Sequence, residues 1–200
     1  MDIDNLQPQD LAERLKLIEG MIAEGRCTTA GWAWTFVLWG AAYYAAMAWA
    51  SLAHFWQAWP VVMCAAGILT GAIARRIKRN QPSTTAGRAL GAIWSAIGIA
   101  LFALLLALSI SGRYEIHIFV AIIGTMLAGA NGISSMILKW KMQMACALVW
   151  LGVGLAACFV TGAQAGALFL AAIFCCQIVF GFYLMILESR RRSRSGAVHA

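Results

Sequence analysis

Apolar residues dominate the chain from position 31 to position 187, broken by a few short polar segments. The longest break is 75–88, Arg-Arg-Ile-Lys-Arg-Asn-Gln-Pro-Ser-Thr-Thr-Ala-Gly-Arg, with apolar stretches of roughly twenty residues on either side, enough for a helix to cross ~30 Å of hydrocarbon. The pattern predicts spans over 31–52, 60–74, 89–111, 116–138, 142–161 and 163–187, the last two joined by a tight turn at Gly162. Pro60 opens the second span, where its missing N–H costs nothing. The expected fold is an all-α integral membrane protein, a bundle of six transmembrane helices. It divides into a cytoplasmic N-terminal helical region (1–30), the membrane domain (31–187) and a basic cytoplasmic tail (188–200).

Ahead of the spans, 10–26 has a different period. Asp10 and Glu13 have capping-box spacing, and Leu11, Leu15, Ile18 and Ile22 recur at 4-3-4 intervals, widened by Leu17 and Met21. Charged residues of both signs fill the other faces. This predicts a short amphipathic helix whose Leu11, Leu15, Ile18 and Ile22 stripe is a candidate partner-binding surface. Its apolar face can dock on the protein's own cytoplasmic side, on a partner helix, or on lipid.

Charge then orients the spans. Of the 15 Lys and Arg, fourteen fall in segments on one side of the six-span scheme and only Arg113 on the other. Basic loops stay in the cytoplasm, so both termini are expected inside, in a bacterial cytoplasmic membrane. The net charge of +7 serves this role and implies no nucleic-acid partner. No basic n-region precedes an apolar stretch in 1–9, so the first span is expected to act as an uncleaved signal anchor.

Small residues mark where helices approach one another. Gly67 and Gly71 form a GxxxG pair in the second span, and Gly124, Ala128 and Gly132 recur every four residues in the fourth. In the first span Trp32, Phe36, Trp39 and Tyr43 form an aromatic stripe, with Ala41, Ala45 and Ala48 opposite as a second close-packing face. Thr28-Thr29-Ala30-Gly31 and Thr84-Thr85-Ala86-Gly87 precede the first and third spans. The frames beginning at Gly71, Gly132 and Gly181 close the second, fourth and sixth. These matches suggest three copies of a helical hairpin.

Reactive chemistry is sparse. All eight acidic and fifteen basic residues lie outside the apolar cores, where a proton-coupled transporter keeps at least one ionisable group. Asn131 and Gln177 are the candidate polar contacts inside the membrane, reading first as amides that hydrogen-bond between helices and second as ligand contacts. His54 and His117, at the outer ends of spans, read as ordinary interfacial residues. The six cysteines lack C-x-x-C spacing and read as small hydrophobes or reduced thiols. No catalytic motif, metal site or cofactor signature stands out.

The segment Leu17-Ile-Glu-Gly-Met-Ile-Ala-Glu-Gly-Arg26, followed by Thr28-Thr29 and Trp32-Ala-Trp34-Thr-Phe-Val-Leu-Trp39-Gly40, resembles small uncharacterised bacterial inner-membrane proteins. The resemblance covers roughly the first fifty residues. It implies six spans and a cytoplasmic N-terminus and carries no activity. The expected function is that of a non-enzymatic accessory or regulatory module, homo-oligomeric or bound to a membrane or cytoplasmic partner in the lipid bilayer. The rival is an oligomeric channel or facilitator for a small neutral or apolar solute.

Overall fold

Every apolar run becomes a helix. The computed structural model describes residues 13–17, 19–20, 32–53, 58–78, 85–112 and 115–198, and all regular structure among them is helical. The helices are α1 (Ala33–Ala53), α2 (Ala58–Lys78), α3 (Thr85–Ser111), α4 (Ile116–Leu138), α5 (Lys141–Ala156), α6 (Gly162–Ile173) and α7 (Phe180–Val198). A stretch of π-helix, Phe174–Val179, joins α6 to α7. Among the described residues five apolar helices are long enough to cross a membrane: Ala33–Ala53, Ala58–Arg76, Gly87–Leu108, Ile116–Leu138 and the continuous Gly162–Arg190. The protein is thus an all-helical, multi-pass membrane protein.

The predicted fifth span is shorter than expected. Helix α5 ends at Ala156 after 16 residues, and 157–161 turns back instead of continuing. Cys158 and Phe159 donate N–H bonds three residues back, to Leu155 and Ala156, which tightens the last turn. Thr161 then starts α6 with its own N–H bonded to Gln164 Oε1 at 3.1 Å. That Thr-x-x-Gln spacing is a capping signal written in the sequence. The tip is packed, because a Cβ on Gly162 would lie 2.6 Å from Ile116 Cγ2. The α5–α6 turn therefore sits level with the start of α4.

At the opposite end, Lys139 joins α4 to α5 in a left-handed conformation (φ 47°). Its N–H reaches Met136 O, and the N–H of Trp140 reaches Ser135 O at 3.0 Å, a Schellman closure. The two helices then run antiparallel in close contact. A Cβ on Gly124 would stand 2.9 Å from Gly154 Cα and 3.1 Å from Trp150 O, so only hydrogen fits there. Close backbone approach of this kind drives helix association in lipid, where hydrophobicity offers little.

The other small residues divide. Ala128 is buried, and Gly132 has ordinary contact with Ala147 at 3.9 Å. Gly67 and Gly71 are exposed with nothing within 4 Å among the described residues, so this GxxxG pair meets none of the described helices. On α1 the expectation for Ala41, Ala45 and Ala48 is corrected: all three are exposed, and the close-packing face is Gly40, Ala42 and Ala46. The aromatic stripe explains this, since Tyr43 is buried and its neighbours on the helix turn inward with it. The hairpin repeat is not visible at its marker glycines. Gly71 faces open space, Gly132 meets α5, and Gly181 is pressed against Phe36 and Val37 of α1.

Candidate functional site: a polar layer between two aromatic clusters

The bundle interior is layered, and three separate helices give the same order. Toward the end carrying the α5–α6 turn lies a cluster of rings: Tyr43, Trp59, Phe119, Trp150 and Phe169, contributed by α1, α2, α4, α5 and α6. Phe169 is its hub, with centroids 5.6 Å from Tyr43, 5.8 Å from Trp150 and 6.3 Å from both Trp59 and Phe119. Each of the five is at most 6% exposed. Toward the end carrying the α4–α5 turn lies a second cluster, Phe36, Trp94, Trp140 and Phe180, with centroid distances of 5.4–5.9 Å.

Between the clusters the side chains turn polar. On α5 the order is Trp140, Gln143, Cys146, Trp150; from α6 to α7 it is Phe169, Cys176, Gln177, Phe180; on α1 it is Phe36, Gly40, Tyr43. Cross-links between these helices fix the level. Cys176 Sγ lies 3.9 Å from the carbonyl oxygen of Cys146, and a Cβ on Gly40 would stand 3.3 Å from Gln177 Cβ. Six residues of helix separate Trp140 from Cys146, so Gln143 and Gln177 share a slab ~9 Å deep.

Helix α4 adds its own polar residues at this depth, because its antiparallel pairing sets Ser135 beside Met144 (Oγ to Sδ, 3.6 Å). Ser134 and Ser135 are 0% and 3% exposed, Gln143 1% and Gln177 7%. The hydrogen bonds are incomplete. Ser135 Oγ donates to Gly132 O and Asn131 Nδ2 to Leu127 O, each within its own helix. Ser134 Oγ, Gln143 Oε1 and Gln177 Oε1 are buried with no partner among the described residues. A polar atom in that state costs roughly 1–3 kcal/mol, so such atoms are rare in a folded interior.

The π-helix lies where this layer is built. Widened turns of this kind occur inside α-helices and are frequent at functional sites. The Tyr44 hydroxyl donates to Leu170 O at 2.9 Å, just before the widening begins.

Of the sequence candidates, Gln177 falls in this layer and Asn131 lies one turn away on α4, bonding its own backbone rather than another helix. Gln143 and Ser134 were missed by sequence reasoning, because Gln143 lies two residues inside its helix and reads as the polar fringe of a span. The spacing Gln143, Cys146, Trp150, Gly154 was the available signal, placing Gln143 on the same buried face.

Of the predicted partner-binding stripe, only Leu15 lies within the described residues; Leu11, Ile18 and Ile22 lie outside them. Residues 13–17 and 19–20 are helical and exposed, Leu15 by 58% and Leu17 by 67%. This part of the helix is not docked on the bundle. His117 Nε2 lies 3.3 Å from Glu115 Oε2 near the surface, and His54 lies outside the described residues. Among the described residues no group of three His, Cys, Asp or Glu could hold a metal ion, and the five described cysteines are free thiols. Comparison with protein-family models, with curated proteins and with solved structures gave no match.

Proposed function

We propose that this protein is a non-enzymatic module of a bacterial cytoplasmic membrane, crossing it six times with both termini inside and offering its N-terminal helix to a protein partner. The observation that carries the reading is the exposure of Leu15 and Leu17 on helical residues 13–17, in a segment whose sequence has capping-box spacing and one apolar stripe. Such a stripe gains stability only when something covers it, and its mixed charge suits a protein groove better than an anionic lipid surface. Six crossings are supported by the α5–α6 tip, which reaches the level of Ile116 although α5 alone is short. The fourteen-to-one distribution of basic residues supports the orientation. The open Gly67 and Gly71 face supports assembly with a second copy.

The test is co-purification from gently solubilised membranes. Leu15→Ser with Ile18→Ser should leave insertion intact, since apolar span length drives that step, while recovery of the partner drops at least tenfold. Unchanged partners and unchanged particle size in the double variant would overturn the reading.

One observation favours a second reading, a facilitator for a small neutral solute. The layer around Gln143 and Gln177 is polar and uncharged, as passage of a neutral molecule requires.

A further inference from the structure

We propose that Cys146 and Cys176 form a redox pair inside the membrane, closing to a disulfide as they pass two electrons and two protons to a lipid-soluble quinone. The proposal goes beyond the membrane-module reading and depends on neither the N-terminal helix nor solute passage.

The geometry singles out these two thiols. Of the five described cysteines, Cys64, Cys158 and Cys175 are exposed, while Cys146 and Cys176 are buried. Cys158 makes a contact within its own helix, its Sγ 3.7 Å from the carbonyl oxygen of Gly154. Cys176 instead reaches across to α5, with its Sγ 3.9 Å from the carbonyl oxygen of Cys146. The two thiols also come within hydrogen-bonding reach of each other. Ring contacts clasp the same two helices on either side of the pair. Trp140 meets Phe180 and Trp150 meets Phe169, each with centroids 5.8 Å apart. The clasps fix the spacing of the two backbones, so joining the sulfurs is left to side-chain rotation.

The surroundings select the other reactant. Segment 142–187 contains no Asp, Glu, Lys, Arg or His, so a charged species there lacks a counter-charge. A soft monovalent metal ion held between two thiolates would leave a net negative charge. A disulfide is neutral, as the two thiols are. The ring clasps stand between the pair and both aqueous sides, and ionised thiols such as glutathione do not enter hydrocarbon. The electrons therefore leave sideways, toward lipid. Phe174 and Val179, in the π-helix that carries Cys176, are 51% and 50% exposed. A quinone and its hydroquinone are both uncharged and dissolve on that side. In the reaction two S–H bonds break and one S–S bond forms. The quinone accepts both electrons and both protons and leaves as the hydroquinone.

The test uses the full chain in mild detergent, reduced and freed of oxygen, with a short-chain ubiquinone analogue as acceptor. Cys27, Cys64, Cys158 and Cys175 are changed to Ser so that only the pair remains. The quinone's ultraviolet absorbance should report one hydroquinone formed per chain, and the denatured product should have lost both alkylatable thiols. Adding Cys146→Ser or Cys176→Ser should slow hydroquinone formation at least tenfold. A rate unchanged by either substitution, or disulfides found only between chains, overturns the proposal. So does a pair that diamide, a small thiol oxidant, closes readily while the quinone leaves it reduced. Should the serine background fail to fold, the wild-type chain decides. Non-reducing digestion after quinone treatment should then yield a peptide joining the Cys146 and Cys176 segments, and its absence contradicts the pair.

Discussion

The ring cluster around Phe169 and the polar layer around Gln143 lie next to each other in one bundle and are built by largely the same helices. Both are buried, yet they differ in completeness. The five rings contact one another edge to face or tilted, and Tyr43, the one with a hydroxyl beside apolar neighbours, is held among them. Nothing further is needed to fill that region. The polar layer is equally enclosed but holds two carbonyl oxygens and a hydroxyl without partners among the described residues. In hydrocarbon, packing can be finished by the chain itself, whereas polarity must be matched atom by atom. The first region is closed by ring-on-ring contacts, and the second leaves buried polar atoms unmatched.

Removing the hub of the ring cluster should have the largest effect. Phe169→Ala deletes contacts to four rings and should cost about 3–5 kcal/mol, read as a lower melting temperature in detergent. A cost as small as that of an exposed residue would mean the rings do not carry the bundle.

Gly124→Leu comes next, since a side chain there meets the backbone of Gly154, and a loss of about 1–3 kcal/mol is expected. Gly71→Leu is the contrast. None of the described residues lies within 4 Å, so monomer stability should change by no more than about 0.5 kcal/mol. Equal losses at the two positions would erase the distinction between the packed and the open glycines.

The smallest effect falls at the border of the two regions. Tyr44→Phe removes the hydrogen bond to Leu170 O and should cost about 1 kcal/mol, with the same melting readout. A null result would separate Tyr44 from the start of the π-helix.

These contrasts also mark what the sequence could reveal. Span 4 was legible to the residue, because 116–138 is bounded by Glu115 on one side and Lys139 on the other. The end of α5 was less so, since Ala157, Cys158 and Phe159 are as apolar as the helix before them and only the Thr161 and Gln164 spacing betrays the turn. Close-packing glycines could not be sorted by motif. Gly67 and Gly71 carry the GxxxG spacing and pack against none of the described residues, while Gly154, Gly40 and Gly181 lack it and meet neighbouring helices. A spacing rule says which residues share a face, and the partner helix determines which face is used. Gln177 was visible as a polar residue in a long apolar run. Its level beside α5 depends on the Cys146–Cys176 contact between residues far apart in sequence, which no local pattern encodes.

The layered interior depends on α5 and the π-helix meeting at one level, and the Cys146–Cys176 contact reports on it directly. In a variant whose other four cysteines are serine, a short neutral reagent that fluoresces only after alkylating two thiols should label the membrane-embedded monomer. The label should vanish on Cys146→Ser or Cys176→Ser. Fluorescence confined to covalent dimers, or none while each thiol reacts singly, would place these helices apart and contradict the polar layer.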